Sequence, residues 1–202
     1  MTIAIDVFSC YIKVKKQMIK SKFELVHAKA SLVESTSGTG KSILGLRDDA
    51  LDLDSGDYKS YWDNDFLLPI KRRRKIKPED WVLNPDWWGN YKREIVQQAP
   101  NFSVIAVGIS DVVLAEQEEF KRWLSEKGLN YIVAIPEFDS LEELMKELDE
   151  RRRLRGSPKE YRQWIREHQP HWIKCLQELD FPKIIIKKGE FLEQALVREG
   201  LI

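Results

Sequence analysis

From about Lys29 onward, short apolar runs alternate with longer stretches whose apolar positions recur at helical spacing. Short runs separated by amphipathic helices predict the strands of a parallel α/β sheet. Five are legible. Ala30-Ser31-Leu32-Val33 runs into a glycine-rich turn, and Ala50-Leu51-Asp52-Leu53-Asp54 alternates apolar with acidic residues. Phe102 to Val107, Tyr131 to Ile135 and Ile184 to Ile186 complete the set. A short helix is predicted from Lys41 to about Arg47.

The other helices carry start and stop signals. Asn84-Pro85-Asp86 supplies an amide cap, a first-turn proline and an acid for a helix reaching about Ala99. A second runs from Asp111 to Lys127 and stops at Gly128. Ser140 and Glu143 form a capping box for a helix carrying Arg151, Arg152, Arg153 and Arg155 and halting at Gly156. Ser157-Pro158-Lys159-Glu160 opens the next, bent at Pro170, and a last helix spans Glu190 to Arg198. Strands alternating with helices predict one layered α/β domain over residues 29–202. The N-terminal 28 residues form an extension that the pattern does not resolve: residues 3–8 suit an edge strand, and residues 11–25 suit helix or strand. Residues 55–85 form a long insertion without a clean period, containing Lys71-Arg72-Arg73-Arg74-Lys75.

Composition adds bounds. The 202 residues are 43% hydrophobic and 33% charged, as in ordinary globular proteins. Lys plus Arg and Asp plus Glu number 33 each, so only a local patch offers charge to nucleic acid. Cys10 and Cys175 suggest reduced thiols rather than a disulfide framework. No signal peptide or membrane-spanning run is evident, so a cytoplasmic protein with no membrane partner is expected. The seven tryptophans read as core anchors before base-stacking platforms.

The strongest chemical signal is Ser35-Thr36-Ser37-Gly38-Thr39-Gly40-Lys41-Ser42, between a strand and a helix. Cradling a triphosphate needs a backbone that turns its N–H groups inward, and Gly38 and Gly40 permit that turn. Ser37 through Ser42 are the expected ATP-binding residues. Lys41 meets the β- and γ-phosphates, the Ser42 hydroxyl is the expected Mg²⁺ ligand, and the following helix adds its positive end. The match to a P-loop fails only at its first position, where Ser35 replaces glycine.

With Leu51-Asp52-Leu53-Asp54-Ser55, Asn84-Pro85-Asp86-Trp87, Asn90-Tyr91, residues 104–110 and 131–136, the segment from Arg152 to Gly156, and residues 183–192, this loop resembles a family. It is the small bacteriophage P-loop NTPases related to nucleoside monophosphate (adenylate) kinases. The likeness covers roughly residues 30–195 and rests on the order of the pieces, since only the loop is specific. It implies a P-loop kinase-like three-layer α/β sandwich with a mainly parallel five-stranded sheet and a mobile helical lid bearing arginines (residues 146–160). It names no substrate. Asp111 falls later than the aspartate that usually ends the strand beside the loop, which puts a magnesium role for it in doubt.

Other candidates carry two readings each. Asp54, at a strand end beside the loop, either orients an acceptor or caps the turn before Gly56. Arg152 and Arg155 share a helix face and either close over the transferring phosphoryl group or complement a helix C-terminus. The Lys71-to-Lys75 run either grips nucleic-acid phosphates or is a solvated loop. His168 and His171 lack partners at metal-ligand spacing. The expected function is Mg·ATP-dependent phosphoryl transfer to a nucleotide or nucleotide-like acceptor, with Lys41, Asp54, Arg152 and Arg155 as its catalytic residues. The alternatives are a kinase acting on a modified base in DNA, in a phage-infected host's cytoplasm, and a nucleotide-binding or interaction module with little turnover.

Overall fold

The computed structural model of the chain describes residues 30–61 and 82–202. The expectations for residues 3–25 and for the Lys71-to-Lys75 run lie outside them. Strand β1 (Ala30–Ser35) leads to helix α1 (Lys41–Leu44), β2 (Ala50–Asp52), α2 (Gly56–Lys59) and β3 (Ser60–Tyr61). Then come β4 (Val82–Leu83), α3 (Trp87–Gln98), β5 (Val104–Val107), α4 (Ser110–Ala115), α5 (Gln117–Lys127) and β6 (Leu129–Pro136). Helices α6 (Leu141–Leu154) and α7 (Lys159–Glu178), strand β7 (Lys183–Ile186) and helix α8 (Leu192–Arg198) end the chain.

Five strands form one sheet in the order β2-β5-β1-β6-β7, with every pairing parallel. These are the five expected from the apolar runs. Both faces are covered, which makes three layers. Ala30, Leu32, Ile105, Val107, Tyr131 and Val133 face a core completed by α3, α4, α5 and the end of α7. Val33, Val104, Ala106 and Ile132 face the other core, closed by Leu44 of α1 and by Leu192, Ala195 and Leu196 of α8. The chain leaves β1 for β2 and returns through β5, then crosses β1 to β6. The C-terminal end of β1 therefore lies between strands whose connections depart in opposite directions, where open α/β sheets bind ligands. Helices α6 and α7 pack against each other through Leu144, Leu148 and Ile173.

Local chemistry explains most boundaries. Ser140 Oγ accepts the Glu143 N–H at 3.2 Å, as the capping box requires. Gly128, with φ of 65°, closes α5 in the left-handed conformation. Asn84 Oδ1 accepts the Asp86 N–H at 3.1 Å and sets the turn into α3, and Tyr91 Oη then anchors that helix to the Leu53 carbonyl at 2.7 Å. Several expectations change. The helix after the glycine turn stops at Leu44 rather than Arg47, because its single turn ends at Gly45. The helix expected from Asp111 breaks at Glu116 into α4 and α5. The insertion begins with α2 and carries the antiparallel β3–β4 pair. No helix among the described residues is long and apolar enough to cross a membrane.

Candidate functional site

Residues 36–40 connect β1 to α1 at the C-terminal edge of the sheet, next to β5 and β6. Gly38 and Gly40 have φ of 89° and 103°, and every positive-φ residue described is a glycine. Both also lack room for a side chain. A Cβ on Gly38 would lie 3.3 Å from Leu148 and from Arg152 Nη2, and one on Gly40 would lie 3.0 Å from the Phe191 ring. Gly38→Ala therefore combines an unfavourable backbone conformation with a crowded contact to α6. We expect it to cost about 1–3 kcal/mol in urea unfolding, whereas Gly156→Ala, in open space, should cost less.

Ser35, where a P-loop usually has glycine, needs no glycine backbone here. It ends β1 without a positive φ, and its hydroxyl donates to Thr39 Oγ1 at 3.0 Å, with the Ala134 carbonyl 3.2 Å away. Thr39 Oγ1 donates onward to the Thr36 carbonyl at 2.8 Å. The turn is thus braced from within by two buried hydroxyls. Leu192 N–H donates to the Thr39 carbonyl at 2.9 Å and ties the loop to α8. Among the described residues, the backbone N–H groups of Ser37 through Ser42 have no protein acceptor. With α1 only four residues long, these loop donors, rather than a helix dipole, are what the turn offers an anion.

Lys41 Nζ donates to the Ser35 carbonyl at 2.9 Å and to the Val107 carbonyl at 3.3 Å, across the ends of β1 and β5. It lies 3.2 Å from where a Cβ of Gly108 would be. Gly108 ends the strand that would ordinarily present an aspartate here, and its carbonyl instead accepts Ser55 Oγ at 2.6 Å. A buried acidic residue does precede Ser35 in β1. Glu34 is 2% exposed, and its Oε2 accepts the Ile109 N–H at 2.8 Å and Tyr131 Oη at 3.2 Å. Burial pushes its carboxyl from the ordinary 4.5 to about 7, against the pull of Lys41 and these two donors. The folded chain holds this proton where the unfolded chain has lost it. Glu34 therefore makes stability fall as pH rises between those two values.

Helix α6 reaches the loop through Arg152, which is 4% exposed. Its Nη2 donates to the Ser37 carbonyl at 3.0 Å and its Nε to Ser37 Oγ at 3.3 Å. Nη2 also meets Gln169 Oε1 of α7, and Gln169 Nε2 donates to Thr36 Oγ1 at 3.1 Å and to the Ser37 carbonyl at 2.9 Å. Two helices thus converge on Ser37. Arg152 Nη1 is buried without a hydrogen-bond partner among the described residues, and burial pulls the guanidinium to about 10, still charged at neutral pH. Arg155 is exposed at the end of the helix. Asp54 is exposed, and its Oδ1 accepts the Gly56 N–H at 2.9 Å, the turn-capping arrangement. Gln169 and Glu34 were not among the residues expected from sequence.

The donor set fits a phosphate chain: unpaired loop N–H groups, an ammonium and a guanidinium. It fits Mg²⁺ less fully. Ser42 is exposed beside Lys41 and offers one hydroxyl, no carboxylate stands at Gly108, and no cluster of three or more metal-ligating residues occurs among the described residues. A bound Mg²⁺ would depend on Ser42 and on the phosphates themselves. A small surface depression adjoins the loop at Thr39, between Pro136, Glu147, Arg151, Ile186 and Lys188, on the side away from β5.

No protein-family model matches the chain, and no curated protein matches its sequence. Among solved structures it is similar to the tunicamycin resistance protein of Deinococcus radiodurans, at 14% identity over 86% of this chain and 96% of that one, with a TM-score of 0.47. It is also similar to a structure of the PezAT chromosomal toxin-antitoxin system of Streptococcus pneumoniae, at 12% identity over 94% and 80% of the two chains, with a TM-score of 0.39. Likenesses this distant carry no substrate or activity. The α/β fold, with its five parallel strands in three layers and its glycine loop at the end of the central strand, is of the P-loop kinase-like kind on its own topology.

Proposed function

We propose that the chain is an ATP-dependent phosphotransferase acting on a nucleotide or nucleotide-like acceptor in the cytoplasm. The observation that carries the reading is the loop of residues 37–42, whose N–H groups lack acceptors among the described residues, beside the Lys41 ammonium at the C-terminal edge of the sheet. In this reading the loop N–H groups hold the β-phosphate, and Lys41 leaves the Ser35 and Val107 carbonyls for the β- and γ-phosphates. A magnesium ion held by Ser42 and the phosphates would neutralise charge on the transferring group. Arg152 would meet the charge that develops during transfer, a role supported by its buried Nη1, which has no hydrogen-bond partner among the described residues. Arg155 would join only if α6 moved, and Asp54 would have to give up the Gly56 N–H to orient an acceptor. The catalysis on offer is positioning and charge stabilisation.

A second reading, a nucleotide-binding module with little turnover, is favoured by glycine at position 108. A coupled ADP-release assay against nucleoside monophosphates and single-stranded DNA separates these readings. Release with a monophosphate supports the kinase. Release only with DNA supports a base-modifying phage enzyme using the Lys71-to-Lys75 run, and its DNA affinity should then fall steeply with salt. Tight Mg·ATP binding without release under any condition would leave the module.

A further inference from the structure

The buried acidic side chain nearest the phosphate loop in sequence belongs to β1 itself. Glu34 precedes Ser35 and pairs in register with Val107. Its carboxylate spans to Ile109 of the β5–α4 connection and to Tyr131 of β6, so it links the three central strands. Such a position needs only hydrogen-bond acceptors, which a neutral amide would supply. A carboxylate there carries a charge with almost no water to solvate it, which is costly unless a cation compensates. That cation is Lys41, held over the strand ends by the carbonyls of Ser35 and Val107, the two residues adjacent to Glu34 in sequence and in register. The space Lys41 occupies is left open by Gly108.

On the reading of the loop as a triphosphate site, we propose that Glu34 is its acidic positioning residue. It holds Lys41 down in the empty loop, and an incoming polyphosphate competes for Lys41, so nucleotide binds together with a proton on the Glu34 carboxylate. The proton comes from solvent and no other bond changes. Lys41 moves from a carboxylate it does not touch directly to phosphate oxygens that it does. The other titratable groups acting on Glu34 are Asp111 of α4, which opposes its ionisation, and Tyr131 of β6, which supports it as a donor; Tyr91 of α3 also feels its charge. Burial keeps both phenols neutral, far above their ordinary range. The carboxyl already titrates near neutrality, so added anionic charge shifts it within an accessible pH range.

The test is titration calorimetry of the whole chain with Mg·ADP at pH 6 and pH 8, in buffers of different ionisation enthalpy. Linked uptake of one proton should make binding roughly three- to tenfold tighter at pH 6 than at pH 8. Glu34→Gln keeps the acceptor for Ile109 and Tyr131 and should fold. It should lose this dependence, keeping only what the nucleotide's own titration contributes to both proteins. Tyr131→Phe keeps the carboxylate but removes a donor, and should move the midpoint to higher pH. Equal pH dependence and equal proton uptake in wild type and Glu34→Gln would overturn the proposal while leaving the nucleotide site intact. Absence of Mg·ADP and Mg·ATP binding to the wild-type chain would instead overturn the phosphate-loop reading on which it rests.

Discussion

Saturating Mg·ATP should raise the melting temperature of the wild-type chain by several degrees, and Lys41→Ala should lose most of that rise. A ligand that binds only the folded state stabilises it by about 2.7 kcal/mol at a hundredfold excess over Kd. In a domain of this size that is roughly 5–10 °C. The comparison must be between ligand-induced shifts, because Lys41→Ala also changes the empty protein. Removing the ammonium frees the Ser35 and Val107 carbonyls and leaves Glu34 without its compensating cation. The empty variant is expected to melt about 1 kcal/mol lower, with Glu34 more often protonated. Equal shifts in both proteins would mean that the nucleotide binds elsewhere.

The second large effect is expected at Arg152. Its guanidinium touches the Ser37 backbone and side chain, so Arg152→Ala removes two kinds of support at once. Buried partners at Ser37 and Gln169 lose a donor, which should cost about 1–3 kcal/mol of stability. If Arg152 also meets charge that develops in phosphoryl transfer, kcat should fall roughly 10²-fold while ATP affinity changes little. Arg152→Lys distinguishes the two roles. An ammonium can keep the single bond to the Ser37 carbonyl and restore part of the stability. It lacks the planar fork, so it should not restore kcat. Arg155→Ala, at an exposed position, should change stability by less than about 0.5 kcal/mol. Once an acceptor is known, full kcat in Arg152→Ala would make this arginine a brace for the loop and nothing more.

The difference between Arg152 and Arg155 shows what the sequence carries and what it does not. Their spacing placed both on one helix face, but only packing of α6 against Gly38 through Leu148 selects Arg152. The five strands were legible because parallel strands are apolar on both faces, and the loop was legible because only glycine tolerates its two positive φ angles. Ser35 looked like a defect in the motif. Its hydroxyl is met by Thr39 and by the Ala134 carbonyl, and the second of these is distant in sequence. Glu34 left a signal that was not taken up: in Ala30-Ser31-Leu32-Val33-Glu34, the two-residue period puts a carboxylate on the face of Ala30 and Leu32. Gln169 left a similar one, a polar residue four positions from both Ile165 and Ile173 on the apolar stripe of α7. A polar side chain at a core position signals a polar destination but not which one.

The most direct test of the central claim is amide hydrogen exchange on the wild-type chain with and without Mg·ATP. The account predicts that protection on binding concentrates at the backbone N–H groups of residues 37–42, which have no acceptor among the described residues, with a smaller effect where α6 meets Ser37. Binding that leaves exchange in residues 37–42 unchanged, or that protects a different segment, would contradict it.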